Sequence, residues 1–547
     1  FKVIRILKDL KMAKFALISV ADKTGIVDLA SKLVMLGYEI ISTGGTAGAL
    51  NAAGITTIDM STFTGIPEML DGRVKTLNNW IYAGILAKRD GSQDEEIDEL
   101  ELKLIDIVVV NLYPFESTIA SGAASHDEVL ENIDIGGVSL LRASAKNYHY
   151  VWSVSSPALY DRFIIGLGFQ TDGLQDKAIS IRKDMAVESY RLISKYDAAI
   201  AGYLAGGVDS GASNSISGLP DTLDFKFTKI QAMRYGENAH QAASMYRNLT
   251  ASTIGGIANA IQKQGKELSY NNIVDADAAL KCCDYIAKQF PGRYVCVIVK
   301  HANPCGVALG ASYLEAYEKA YRADPISAFG GIIAFGSNDN NPVDWDVANR
   351  IVSNQFVEVV LAAKFSPEAL AAFSAKGNVR VLEATMPSSD IPSYEIKTIS
   401  GGGILYQERD SKVLGADNFK VVSARQPTAS EIEDMRFAWA VARYVKSNAI
   451  VFVKDGMTYG IGIGQPSRLD SAKIAVQKAK EFGFDLHGTI AASDGFYPKA
   501  DTVEHILDNG ITTMISPGGS IRDLEVIDAV NKRNAVMIFT GVRCFLH

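Results

Sequence analysis

The chain has 547 residues, 48% of them apolar and 21% charged, with a formal net charge of −8 at pH 7. That balance excludes a disordered chain and gives no basic footprint for nucleic acid or an anionic membrane surface, so any phosphate has to be met by local groups. No apolar run approaches the ~18–20 residues of a membrane span, and the irregularly spaced Cys282, Cys283, Cys296, Cys305 and Cys544 form no disulfide framework; the expectation is a multidomain cytoplasmic protein.

Residues 1–11 carry Lys2, Arg5, Lys8 and Lys11 among aliphatics and lack the marks of a targeting segment; they read as an extension ahead of a natural start at Met12. Phe15–Val20 then predicts a buried strand, and Ile26, Leu29, Ala30, Leu33 and Val34 recur at helical spacing. Tyr38–Ile41 is a second strand, followed by a helix over Ala47–Ala53. The repetition predicts a parallel α/β sheet with ligands at the carboxyl ends of its strands. Both connecting loops, Asp22-Lys23-Thr24-Gly25 and Ser42-Thr43-Gly44-Gly45-Thr46, bring glycine and hydroxyls to a helix N-terminus. Such a terminus suits an anion, although the same residue types also serve as plain caps.

Further on, Gly72-Arg73-Val74-Lys75-Thr76 groups two cations and a hydroxyl. The strand Leu104–Val110 delivers Asn111-Leu112-Tyr113-Pro114-Phe115, and Ile133-Asp134-Ile135-Gly136-Gly137 opens a helix, Val138–Ala145, that ends at Lys146-Asn147. Lys75, Tyr113, Asp134 and Lys146 are the right types for proton transfer and oxyanion stabilisation. Spacing alone does not join them, and surface lysines, a strand-end tyrosine and a capping aspartate are the competing reading. Residues 206–218, rich in Gly and Ser, read as a linker between a domain over 13–205 and one over 219–547 that is long enough for two subdomains.

In the second domain Arg234-Tyr235-Gly236-Glu237-Asn238 supplies a guanidinium suited to phosphate, and Cys282 and Cys283 fall on the apolar face of a helix. Tyr294–Val299 is a core strand emptying into Lys300-His301-Ala302-Asn303-Pro304-Cys305-Gly306. Burying charge at such an end without a task is costly, so the pair points toward catalysis, with a satisfied structural histidine as the competing reading. Pro304-Cys305 is similar to half of the Pro-Cys-x-x-Cys zinc signature, but Ala308 stands where the second thiolate belongs, so no zinc is expected. Ala449–Lys454, Asp455-Gly456 and Met457–Gly464 predict a hairpin with a type I′ turn. Its Gly460-Ile461-Gly462-Ile463-Gly464 lies in a strand and is no dinucleotide fingerprint. Ser493-Asp494-Gly495-Phe496-Tyr497-Pro498 places aromatics in a loop where a flat heterocycle can stack.

Taken together, SVADKTG, STGGTA, GIPEMLDGRVKTL, NLYPF, IDIGG, RASAKN, MRYGEN, SYNN, KHANPCG, SAFGG, KSNAI, GIGIGQPSR and SDGFYP make the chain resemble, from about Lys14 to His547, the bifunctional purine-biosynthesis family. That family joins an aminoimidazole carboxamide ribonucleotide (AICAR) formyltransferase to an inosine monophosphate (IMP) cyclohydrolase. The resemblance implies a methylglyoxal-synthase-like parallel sheet followed by two tandem cytidine-deaminase-like subdomains without catalytic zinc. It also implies a homodimer acting on nucleotides, with 10-formyltetrahydrofolate as cosubstrate and no nucleic-acid or membrane partner.

Carried over by motif, Lys75, Tyr113, Asp134 and Lys146 serve ring closure, while Ser19, Lys23, Thr24, Thr43, Gly45, Thr46, Arg73 and Thr76 hold its nucleotide. Lys300, His301 and Asn448 serve formyl transfer, and Arg234, Tyr235, Asn272, Glu358, Arg468 and Arg543 contact AICAR. Ile326, Phe329, Gly330, Phe496 and Pro498 line the folate pocket. There are departures: Asn78, Asn79 and Tyr82 replace the family's His-Pro and second His, and Ala239 replaces a proline. They leave open a second reading, in which the first module senses a nucleotide and only the second is catalytic.

Overall fold

In the computed structural model, residues 13–547 are described apart from 71–72, 114, 121–124, 207–218, 220–222, 224, 226, 249–254, 340, 387–393, 411 and 416–417. The N-terminal extension, Gly72, Pro114 and the linker expected over 206–218, beyond its first residue, therefore lie outside the described residues. The chain divides into two compact units, Phe1–Thr222 and Leu223–His547.

The first unit is built on β1 (Lys14–Val20), β2 (Tyr38–Ser42), β3 (Thr57–Asp59), β4 (Ile105–Asn111) and β5 (Trp152–Val154), in the order β3-β2-β1-β4-β5. Every pairing is parallel, so all strand carboxyl ends face one edge. Its helices include α1 (Ile26–Met35), α2 (Gly44–Ala52), α3 (Asn79–Leu86), α4 (Gly136–Lys146) and α5 (Gln175–Gly206). Leu17, Ile18, Ile107, Val108 and Val109 are fully buried, as strands covered on both faces require. This is the methylglyoxal-synthase-like sheet that the resemblance implies.

The second unit begins with a separate hairpin, β6 (Thr228–Met233) and β7 (Ala243–Arg247), then β8 (Ile261–Gln264) and α6 (Tyr270–Gln289). A first half follows: β9 (Tyr294–Lys300), β10 (Asn303–Gly310), α7 (Tyr313–Ala323), α8 (Pro325–Ala328), β11 (Gly331–Gly336), α9 (Trp345–Asn354), β12 (Val357–Ala362), α10 (Pro367–Ser374) and β13 (Arg380–Glu383). After β14 (Tyr394–Ile399), β15 (Gly403–Glu408), β16 (Lys420–Val421) and α11 (Ala429–Ala442), the plan repeats. It runs β17 (Ile450–Lys454), β18 (Met457–Gly462), α12 (Arg468–Glu481), β19 (Ile490–Ser493), α13 (Ala500–Asp508), β20 (Thr513–Ser516), α14 (Asp523–Lys532) and β21 (Val536–Phe539).

The strand orders β10-β9-β11-β12-β13 and β18-β17-β19-β20-β21 match, each with an antiparallel hairpin followed by parallel strands. The halves join at an antiparallel seam of β10 on β18, in a single sheet of 12 strands. Thr458 fastens it: the Val307 N–H donates to its Oγ1 at 3.0 Å and that hydroxyl donates to the Val307 carbonyl at 3.3 Å. The glycines of Gly460-Ile461-Gly462 are there for packing. A Cβ on Gly460 would fall 2.2 Å from the Ala475 carbonyl, and one on Gly462 1.9 Å from that of Ser471, so α12 can lie on β18 only without side chains. Gly306 plays the same part in the first half, 2.0 Å from the Ala320 carbonyl.

Candidate active sites

At the carboxyl edge of the first sheet, Asn111 organises the loop after β1. Its Oδ1 accepts the Ala21 and Asp22 N–H groups at 2.6 and 2.9 Å, and its amide donates to the Asp22 carbonyl at 2.8 Å. No side chain caps α2, whose N-cap residue is Thr43. Two ammonium groups come to that helix start: a Cβ on Gly45 would lie 3.8 Å from Lys23 Nζ, and one on Gly44 4.0 Å from Lys75 Nζ. An uncapped helix N-terminus flanked by two lysines is a place for phosphate. Ser19 is the penultimate residue of β1. Two expected ligands are already engaged: Thr46 Oγ1 bonds the Val20 N–H and carbonyl, and Thr24 Oγ1 donates to Asp22 at 2.6 Å. Arg73 pairs with Glu131.

Lys75 and Thr76 are consecutive and join two helix starts, because Thr76 Oγ1 lies where a Cβ on Gly136 would come within 2.6 Å, at the head of α4. Asp134 sits on that head. Its Oδ1 accepts the Gly137 N–H at 2.7 Å, and its own N–H donates to the Tyr196 hydroxyl at 2.8 Å. Burial raises the Asp134 carboxyl above the ordinary aspartate range, opposed by the Gly137 bond. Tyr113 stands exposed after β4. The structure thus gathers Lys75, Thr76 and Asp134, with Tyr113 on the same edge. Lys146 is different. It is the last residue of α4, ten residues beyond Gly136, hence about 15 Å along the helix axis at 1.5 Å per residue. Asn147, next to it, bonds the Ile85 and Ala87 carbonyls at the far end of α3.

Of the departures, Asn78 has become the N-cap of α3, accepting the Trp80 N–H at 2.8 Å. Burial pushes the Tyr82 phenol up to about 12, against a contribution from Ser139 and with one from the Asp134 charge. A phenol therefore stands near Asp134 where the family has a histidine.

In the second unit, β9 and β10 are joined by a two-residue turn, His301-Ala302, with φ of 52° and 58°. The corresponding turn in the second half is Asp455-Gly456, at 52° and 66°. A left-handed backbone costs an L-residue roughly 1–2 kcal/mol, so an Asp-Gly turn is comfortable and a His-Ala turn is held by its surroundings. Asp275 of α6 accepts the Ala302 N–H at 2.7 Å, and the Asn303 amide donates to the His301 carbonyl at 3.0 Å. Strain of this kind collects at reactive sites. Lys300 Nζ donates to the Gly330 and Phe329 carbonyls at 2.9 and 3.2 Å, which leaves one of its three donors for a ligand.

Lys300, His301 and Asn303 line a cavity of about 330 Å³ with Cys305, Asp324, Thr458, Gln465 and Lys478, between strands of both halves. Burial raises the Cys305 thiol to about 12, so it is no nucleophile. Among the described residues no three His, Cys, Asp or Glu are grouped as a metal site. Asn448 reaches the cavity wall by donating to the Gln465 carbonyl at 2.8 Å. Arg468 is buried on Asp494 and donates to Ser493 at 3.0 Å, its guanidinium 5.6 Å from the Phe545 ring, over which Arg543 also lies. Asp494 in turn accepts the Ala449 N–H at 3.1 Å, so these groups form one body with Asn448.

The remaining expected residues are spread around. Arg234 lies over the Tyr235 ring at 4.8 Å. Asn272 forms a capping box with Ser269 at the start of α6, one turn from Asp275. Glu358 is paired with Arg380 at 2.8 Å and is not part of the cavity lining. Ile326, Phe329, Phe496 and, beside Phe329, Phe356 present apolar faces to solvent, whereas Tyr497 is core. Sequence reasoning missed Asn111, Asp275, Asp324 and Lys478, whose signals are those of ordinary polar loop and helix residues.

Residues 144–478 match the family model described as AICARFT/IMPCHase bienzyme, and residues 25–139 match an MGS-like domain. A curated relative, "Bifunctional purine biosynthesis protein PurH" of Polynucleobacter asymbioticus, is 46% identical over 539 residues, covering 98% of this chain and 100% of the relative. A solved structure titled "Crystal structure of ForH" is 32% identical with a TM-score of 0.32, covering 35% of this chain and 97% of that one. No described helix is long and apolar enough to cross a membrane.

Proposed function

The chain belongs to the AICARFT/IMPCHase bienzyme family, and we infer that it works as one, transferring a formyl group to AICAR and closing formyl-AICAR to IMP. The observation that carries formyl transfer is the Lys300-His301 pair at the cavity, on a turn that only its neighbours hold in place. The AICAR amine is a poor nucleophile because its lone pair is delocalised. We assign His301 to taking its proton as nitrogen bonds to the formyl carbon of 10-formyltetrahydrofolate. Lys300, seated on two carbonyls, stabilises the oxyanion of the tetrahedral adduct before the bond to the folate nitrogen breaks and that nitrogen is protonated. Asn448, with Arg234, Tyr235, Asn272, Glu358, Arg468 and Arg543, is assigned to AICAR. The exposed Ile326, Phe329 and Phe496, with Gly330 and Pro498, are assigned to the folate.

For ring closure the carboxamide nitrogen attacks the formyl carbon within one molecule, so positioning supplies much of the rate. Lys23 and Lys75 at the uncapped α2 support a phosphate seat there, with Ser19, Thr43, Gly45, Arg73 and Thr76 around it. Asp134 is the base for the carboxamide, and Tyr113 with Lys75 steadies the oxygen that leaves as water. Lys146, at the other end of α4, is assigned to the same step with Tyr113, as its motif implies. A homodimer in the cytoplasm, with domains over 13–205 and 219–547, completes the reading.

Identity along the whole length of a bifunctional relative favours a cyclising first module over a sensing one. Purified protein given formyl-AICAR without folate is expected to make IMP, measured by chromatography; binding without turnover would restore the sensing reading. Formyl transfer proceeds without catalytic metal, so exhaustive chelation is expected to leave its rate unchanged. A loss reversed by added zinc would contradict this.

A further inference from the structure

We propose that Lys478 is a positioning residue for formyl transfer, reaching from the second half of its module to fix the seat of Lys300 in the first; the inference rests on the assignment of Lys300 to that reaction. Lys478 lies on α12, a helix anchored in its own half by the buried Ala475 and Ala479. Its Nζ crosses the seam and donates to Asp324 Oδ2 at 2.9 Å. Asp324, 7% exposed, is the N-cap of α8 and the hub of that turn. Its Oδ1 accepts the Ser327 N–H at 2.9 Å, its Oδ2 the Ser327 hydroxyl at 2.7 Å, and its carbonyl the Ala328 N–H at 3.0 Å.

The next two residues are Phe329 and Gly330, whose carbonyls hold the Lys300 ammonium. The approach is close: a Cβ on Gly330, at φ 66°, would lie 3.1 Å from Lys300 Nζ. A small movement of this loop therefore moves the seat. Without Lys478, Asp324 is a buried carboxylate with no cation on it, which is costly enough to protonate it or turn it outward. Either response loosens α8 and the two carbonyls behind it. Misplacing a reacting group by about 1 Å is worth on the order of 10²-fold in rate.

The competing role for the pair is simple fastening of the two halves, and a mutant cycle in the full-length protein separates the two. Lys478→Met is expected to lower kcat for formyl transfer about 10–100-fold, with KM for AICAR within about twofold and turnover of supplied formyl-AICAR unchanged. Lys478→Arg, which keeps a cation on Asp324, should stay within about threefold of wild type. In a Lys300→Met background, Lys478→Met should cost less than about threefold more, because the group it positions is gone. Asp324→Asn, which keeps a capping oxygen and drops the ion pair, runs through the same cycle should Lys478→Met prove unfolded by circular dichroism. A wild-type kcat in Lys478→Met, or a loss that multiplies fully with Lys300→Met, overturns the proposal. Wild-type formyl transfer in Lys300→Met alone overturns instead the assignment of Lys300.

Discussion

Replacing His301 by alanine is expected to lower formyl transfer about 10²–10⁴-fold, the usual contribution of a positioned general base. Closure of supplied formyl-AICAR should continue at the wild-type rate. The substitution leaves the turn intact, since the bonds that hold it use the Ala302 N–H and the His301 carbonyl, and neither needs the imidazole. Alanine at 301 would take a φ of 52° beside Ala302, which already adopts 58°. The groups assigned to ring closure belong to a different compact unit with its own core, so no loss should pass between them. A spectrophotometric assay of AICAR formylation, after circular dichroism has shown the variant folded, decides it. Near-normal formylation would remove His301 from the mechanism.

Asp134→Asn should stop ring closure by a similar factor and make the protein more stable at neutral pH. Burial raises the Asp134 carboxyl in the folded state. Above its folded pKa the ionised group therefore costs stability, and below its unfolded value of about 3.9 that cost has vanished, because the carboxyl is protonated in both states. Asparagine is neutral throughout and keeps an oxygen for the Gly137 N–H. The gain in melting temperature should be largest near pH 7 and shrink as pH falls toward 4. A variant that is less stable at pH 7 would show that Asp134 is held as a favoured carboxylate, and one that still cyclises would show that it is not the base.

Much of this was legible in the sequence because the relevant signals are local. Apolar runs such as Phe15–Val20 and Tyr294–Val299 have the length and flanks of buried strands, and they fold as β1 and β9. Asp455-Gly456 announces its hairpin because those residues accept a left-handed turn. The equivalent turn at His301-Ala302 carries no such signal: its sequence does not announce that conformation, and what holds it is Asp275, 27 positions away on α6. The doubled plan of the second unit was legible only through the resemblance, which implies two tandem subdomains, because it is a match of strand order and helix placement that no local pattern carries. Asn111, Asp324 and Lys478 act through tertiary partners, so nothing in their neighbours singles them out. Lys146 came from the motif resemblance and not from spacing, and the helix sets it at the opposite end from Gly136.

The seam between β10 and β18 also bears on why the two halves are found on one chain. Taken alone, either half would end in a bare, largely apolar border strand, eight residues long in β10 and six in β18. Unpaired borders of that length invite self-association and precipitation. Facing each other, the two borders become the middle of one sheet, and what is left at its rims is short: two residues in β16 and four in β8. Neither half is therefore a portable part. A fragment cut at their junction would expose the surface each needs the other to cover, and it would be lost to aggregation before its chemistry could be assayed.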